Sequence, residues 1–373
     1  RRRDVSIWAE GDRLRISAPK GTLDDRLRDA LQQNKDSILQ FLRNSSQSAP
    51  AIKAVARDGK LPLSFGQQRL WFLNNLGSGT AYNISLVLAL EGTLATDALA
   101  SALSVINERH ETLRTSFPLV DGHPVQRIRP AIDLDLPLVE LDGETDADID
   151  ASAREHLQSF LTAPFDLEQG PIWRTELLRL APERHWLAIS IHHIASDGWS
   201  MALLQTEIAA LYNAQLAGAP SPLTALKVQY ADFAASQRHW LNTERFQRQL
   251  TYWREHLSHA PTLHSLPLDH PRPDEQRFVG AQLAFSLDTT LTAGLLRVGR
   301  AHGTTPFMTL LAGFAALLSR HSEHNDWVIG TPIANRLHPE LEPLIGFFVN
   351  TLALRVRWDD DLPWSALLAQ VRE

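Results

Sequence analysis

Apolar residues in this chain switch repeatedly between a two-residue and a three-to-four-residue period, and that switching limits the fold more than any other feature. "NISLVLALEG" (83–92) reads as a strand, "DALASALSVINERHETL" (97–113) as an amphipathic helix and "HPVQRIRP" (123–130) as another strand. A strand "HWLAIS" (185–190) and a long helix "WSMALLQTEIAALYNAQLAG" (199–218) follow. Two further helices are expected in "VQYADFAASQRHW" and "ERFQRQLTYWREHL". After a crossing rich in Pro and Asp (262–278) the alternation resumes: "AQLAFSLD" as strand, "TTLTAGLLRVGRAHG" and "TPFMTLLAGFAALLSRH" as helices, "DWVIGTPIAN" as strand. Such a pattern builds an α/β body of two lobes, 61–262 and 263–373.

Ahead of the body stands a smaller module. "VSIWAEGDRLRIS" (5–17) alternates around a Gly-Asp turn and reads as a β-hairpin. Val5, Ile7, Leu14 and Ile16 belong to its apolar face; Trp8, Arg13 and Arg15 point the other way. Residues 22–43 suit two short helices broken near Gln33-Asn34, opened by a Thr22–Asp25 capping pair. A polar, Ser/Pro/Ala-containing linker (44–60) separates this module from the body. Residues 1–43 hold ten Lys/Arg against seven Asp/Glu, whereas the whole chain has a net charge of −7, so a basic head sits on an acidic body. That asymmetry suits an acidic partner for the head. It argues against nucleic acid as a ligand of the body.

Cysteine is absent from the 373 residues, which excludes a disulfide framework, a cysteine-based zinc site and a cysteine acyl-enzyme. The same absence suits a reducing compartment, so the expected location is cytoplasmic. The longest apolar run, 307–318, is too short to span a bilayer, and no membrane association is expected. No nucleophile elbow, phosphate loop or zinc-protease signature occurs. The histidines of "HSEHND" and "EHLSHAPTLH" are scattered, so no metal site is expected.

The chemistry concentrates in "IHHIASDGWS" (191–200), at the end of the apolar run and before the long helix. If the strand continues through both histidines, Leu187, Ile189, Ile191 and His193 share one face and Ala188, Ser190 and His192 the other. Two rings aimed apart are poor ligands for one metal. An imidazole titrates near neutrality and can take or give a proton. Ser196 or Asp197 is placed to cap the helix, and Gly198 to ease a tight exit from the loop.

Five stretches in order, "SFGQQRLWFL" (64–73), "RHETLRTSF" (109–117), "IHHIASDGWS", "YADFA" (230–234) and "IGFFVNTLALR" (345–355), resemble successive core motifs of nonribosomal peptide synthetase condensation domains. The likeness is strongest to the type that joins an L-donor to an L-acceptor. Residues 4–43 resemble a TubC-like N-terminal docking domain without most of its leading helix. The resemblance implies two chloramphenicol-acetyltransferase-like lobes in a V-shaped arrangement, the second incomplete because the family's last motifs are missing. It implies peptide-bond formation between substrates held on the phosphopantetheine of donor and acceptor carrier proteins, with no cofactor in the chain itself. His193 is then the catalytic histidine, assisted by Asp197 and the Gly198 backbone. His192 and Arg336 are structural, Arg336 as a partner of Asp197. Trp8, Arg13 and Arg15 of the docking domain would receive the C-terminal peptide of an upstream subunit. Two other functions stay open: acyl transfer to a free small molecule, and a non-catalytic docking fragment.

Overall fold

The structure is a computed structural model that describes residues 6–10, 13–17, 29, 31–32, 34–39, 51–77, 79–131, 134–274, 280–322, 324–358 and 362–373. By backbone proximity the chain divides into two compact units, Arg1–Lys53 with Arg336–Glu342, and Ala54–Asn335 with Pro343–Glu373.

In the first unit β1 (Ser6–Glu10) and β2 (Arg13–Ser17) form an antiparallel pair with Trp8 opposite Arg15 and Glu10 opposite Arg13. Arg13 and Arg15 are exposed, while Leu14 and Ile16 are half-buried, so this strand has the two faces its alternation predicts. Helical residues lie on both sides of a turn at Asn34, and Leu31 and Leu39 are buried. Val5 and the Thr22–Asp25 capping pair lie outside the described residues.

The body runs through β3 (Leu61–Pro62), β4 (Asn83–Glu91), β5 (Thr115–Ser116), β6 (Leu119–Val120), β7 (His123–Ile128), β8 (Leu138–Glu140), β9 (Trp173–Ala181) and β10 (Arg184–His192). Its main sheet has the order β4-β10-β9-β8; β10 is antiparallel to both neighbours and β8 is parallel to β9. A smaller sheet has the order β3-β7-β5, with β6 also paired to β7.

The strand β10 is central, and its composition explains why. Leu187, Ile189 and Ile191 lie opposite Leu88, Leu86 and Ile84 of β4. All three are fully buried and share a core with Leu103 and Ile106 of the helix Thr96–Arg109 and Leu204 and Ile208 of the helix Gly198–Leu216. Burying each such side chain contributes about 1.5–3 kcal/mol, so this face anchors the strand. Ala188 faces the other way, against Ala153 and Leu157 of the helix Asp146–Thr162. With both faces covered, β10 reads as a nearly continuous apolar run.

The later part of the body contains the helices Thr289–Ala301, Pro306–Arg320 and Trp364–Arg372 and the pair β11 (Asp326–Ile333) and β12 (Asn350–Arg357). One expectation fails here: residues 281–288 form no strand. Leu283 is 88% and Phe285 84% exposed. Among the described residues β11 and β12 pair only with each other, and residues 281–288 join neither. No single described helix is long and apolar enough to cross a membrane.

Candidate active site

The strand β10 stops at His192, one residue earlier than strict alternation through both histidines requires. His193 instead opens a 3-10 turn, His193–Ala195, so the two rings are separated by a change of backbone and not by strand alternation alone. His192 is 1% exposed; its Nδ1 accepts the Ile194 N–H at 3.1 Å and its ring meets Phe165 edge-on. Burial, reinforced by the neighbouring His193, pushes its pKa down to about 4, so the ring is neutral at physiological pH.

His193 is only half-buried. Its backbone N–H is held by the Tyr82 carbonyl at 2.7 Å, and its Nδ1 lies 2.7 Å from the Ser196 carbonyl oxygen. A carbonyl can only accept, so Nδ1 carries the proton in this arrangement, and the neutral ring presents Nε2 as its lone pair. The edge of the ring meets Phe347, with centroids 4.9 Å apart.

Asp197 is 2% exposed and caps the helix Gly198–Leu216. Oδ1 accepts the Ser200 N–H at 2.9 Å and lies 2.8 Å from the Ser200 hydroxyl. Oδ2 accepts the N–H groups of Phe348 and Val349 at 3.0 and 3.2 Å. The carboxylate therefore ties the histidine loop to a segment about 150 residues away. Gly198 opens the helix and is exposed. It does not need glycine's freedom: its φ is not left-handed, and an added Cβ would meet nothing within 4 Å. Its relevant feature is the backbone N–H at a helix N-terminus. Arg336 donates from Nη1 to the Leu341 carbonyl in its own loop.

The segment Ile345–Val349 is held residue by residue. Ile345 N–H donates to His110 Nδ1 at 3.3 Å, and Gly346 N–H to Ser200 Oγ at 3.1 Å. The Phe347 carbonyl accepts the Tyr230 hydroxyl at 2.6 Å, and Tyr230 in turn lies 2.8 Å from Ser64 Oγ. The Phe348 carbonyl accepts Asn335 Nδ2 at 3.1 Å. Gly346 is required by space: a Cβ would stand 2.1 Å from Tyr230 Cδ2.

All five sequence motifs thus converge on one short segment, through Ser64, His110, Asp197 with Ser200, Tyr230, and Ile345–Val349 itself. Sequence reasoning singled out only Asp197 among these anchors. The available signal was a polar residue inside each motif beside apolar neighbours, with Ser200 three residues after a capping Asp. Asp232 of "YADFA" does a different job. It accepts the Val55 and Gln229 N–H groups and pairs with Arg57 at 2.7 Å, which fixes the end of the linker to the body. Burial raises its pKa, but the Arg57 hydrogen bond and the two backbone donors outweigh that and hold the carboxyl below its ordinary value. A recess of about 780 Å³ lined by Ala100, Ser104, Glu108 and Leu134 includes none of the histidine-loop residues.

A mixed sheet flanked by helices, with a histidine pair closing its central strand, defines an α/β protein of the chloramphenicol-acetyltransferase-like class. The chain belongs to the condensation-domain family, whose model matches residues 57–373; residues 1–44 match the TubC N-terminal docking domain. It is 44% identical over 336 residues to malpinin synthetase of Mortierella alpina, covering 90% of this chain and 4% of that protein. It is also 44% identical over 317 residues to phosphinothricin tripeptide synthetase PhsC of Streptomyces viridochromogenes, covering 85% and 29%. Among solved structures it is similar to the X-domain from teicoplanin biosynthesis, with 32% identity, a TM-score of 0.78, and 87% and 71% of the two chains covered. The first condensation domain of the CDA synthetase shares the fold at 22% identity and a TM-score of 0.67, with 84% and 75% covered. The chain therefore spans less than a third of the length of the curated relatives named here.

Proposed function

We propose that this chain forms peptide bonds between two carrier-bound substrates, with His193 as the working histidine, on the pattern of condensation domains that join an L-donor to an L-acceptor. The observation that carries the reading is the Nδ1 contact of His193 with the Ser196 carbonyl, which leaves Nε2 as a lone pair on a half-buried ring. The amine of the acceptor, on the phosphopantetheine of its carrier, attacks the donor thioester carbonyl. The C–N bond forms, the C–S bond breaks, the amine proton passes to or is oriented by Nε2, and the thiolate leaves and is reprotonated. A thioester is already activated, so no covalent enzyme intermediate is needed. Positioning of two tethered substrates supplies about 7–11 kcal/mol in favourable cases, against about 10²–10⁴-fold from general-base help. The Gly198 N–H supports the thioester oxygen. Asp197 is architectural.

The test is a condensation assay with loaded donor and acceptor carriers. His193→Ala is expected to lose at least about 10²-fold in turnover at an unchanged melting temperature. His192→Ala is expected to act through stability. Activity kept by His193→Ala and lost by a stably folded His192→Ala would reverse the assignment.

For the head, the reading is that its hairpin receives the acidic C-terminal peptide of an upstream subunit by strand addition. It is supported by the exposed Arg13 and Arg15 on one strand and by the basic charge of residues 1–43. Trp8 lies opposite Arg15 in the pair. Binding of such a peptide to the whole protein should weaken with salt and with Arg13→Glu/Arg15→Glu. Indifference to both would remove the electrostatic part.

A further inference from the structure

His110 is 1% exposed and stands outside the histidine loop, yet it joins three of the elements that build the site. It follows the helix Thr96–Arg109 as its C-cap, with its N–H on the Ile106 carbonyl. Its Nδ1 accepts the Ile345 N–H, so the lone pair is on Nδ1 and the proton on Nε2. Nε2 donates to Glu207 Oε2 at 2.8 Å, and Glu207 Oε1 accepts from Arg109 Nε at 3.1 Å. Glu207 belongs to the helix that Asp197 caps.

We propose that His110 is a positioning residue for His193, acting through the Ile345–Phe347 backbone and the Phe347 ring; the inference rests on His193 being the working histidine. The Phe347 ring meets His193 edge-on and has no polar group of its own, so backbone anchors set its place. The Phe347 carbonyl is held by Tyr230 and the next residue by Asp197; upstream, Ser200 holds Gly346 and His110 holds Ile345, the first residue of the segment. The segment is closely fitted, so a small displacement of its backbone is passed on to the Phe347 ring. Gly346 abuts Tyr230, and a Cβ on Gly66 would stand 2.7 Å from Phe347 Cε1. His193 has one ring hydrogen bond among the described residues, to Ser196, so the Phe347 contact is its second restraint. Loss of the Ile345 anchor leaves a buried N–H unpaired and lets the segment shift, and with it the ring that steadies the imidazole.

A core residue that only fills space would respond to volume and to overall satisfaction, not to which nitrogen is replaced. This difference sets the experiment. His110→Asn places an acceptor near the Nδ1 position and keeps the Ile345 anchor; His110→Gln reaches toward Glu207 and keeps the other bond; His110→Phe keeps neither. Turnover, KM for both loaded carriers and melting temperature are measured for all three, with His193→Ala in parallel. The expected result is a turnover at least about tenfold lower for His110→Phe and His110→Gln, at unchanged KM. His110→Asn is expected within about threefold of the parent, with Asn and Gln melting alike. Turnover that simply follows melting temperature, or a Gln variant as active as the Asn variant, overturns the proposal. If His110→Phe does not fold, the Asn and Gln pair still decides. Activity retained by His193→Ala would instead overturn the reading of His193, whatever His110 does.

Discussion

Residues 187–191 and 283–287 both place apolar side chains at every second position, and they end in opposite environments. Leu187, Ile189 and Ile191 are fully buried between two strands and two helices. Leu283 and Phe285 are almost fully exposed, and no strand forms. The helices of the two regions differ likewise. The helix Gly198–Leu216 buries Met201, Leu204, Ile208 and Leu211, while Phe307, Leu310, Phe314 and Leu317 of Pro306–Arg320 are each about half-exposed. Alternation states which residues share a face. It becomes a strand only where a neighbour offers N–H and C=O groups and an apolar surface to cover that face.

Three measurements would break or sharpen this contrast, and the largest effect concerns the link between the regions. Asp197 accepts hydrogen bonds from its own helix and from Phe348 and Val349. Asp197→Ala leaves buried donors unpaired on both sides, and is expected to cost about 3–5 kcal/mol in urea unfolding. A loss under about 1 kcal/mol would mean that the later region is held to the earlier one by other contacts.

Next comes His192, buried only because the earlier region is well packed. Its folded pKa of about 4 lies below the ordinary value of 6.5. The unfolded chain therefore binds the proton more readily. Stability is complete above pH 6.5 and falls as pH drops toward 4, by about 3 kcal/mol from this group. In His192→Gln the change in unfolding free energy between pH 7 and pH 4 should be smaller by about that amount. An unchanged pH dependence would show that the ring is not desolvated.

The smallest effect is the sharpest on the pattern itself. Phe285→Ala is expected to alter stability by less than about 0.5 kcal/mol. The same truncation at fully buried Phe117 would leave a cavity in the core. A comparable loss at both positions would show that Phe285 is covered in solution.

The sequence by itself determined the α/β class, the order of nearly all the long strands and helices, the hairpin at the head, and the strand-loop-helix that carries both histidines. These rest on local periodicity and capping, which a chain segment expresses without distant help. Other features needed the tertiary structure. Which histidine is buried depends on where β10 ends: at His192, because the backbone turns into a 3-10 helix and sends the next ring to a half-buried place beside Phe347. Asp197, His110 and Tyr230 each bond to the segment Ile345–Val349, between 117 and 235 residues away. Residues 281–288 lack a strand for the same reason: hydrogen-bond partners from distant segments exist only once those segments meet, and no local pattern says which will.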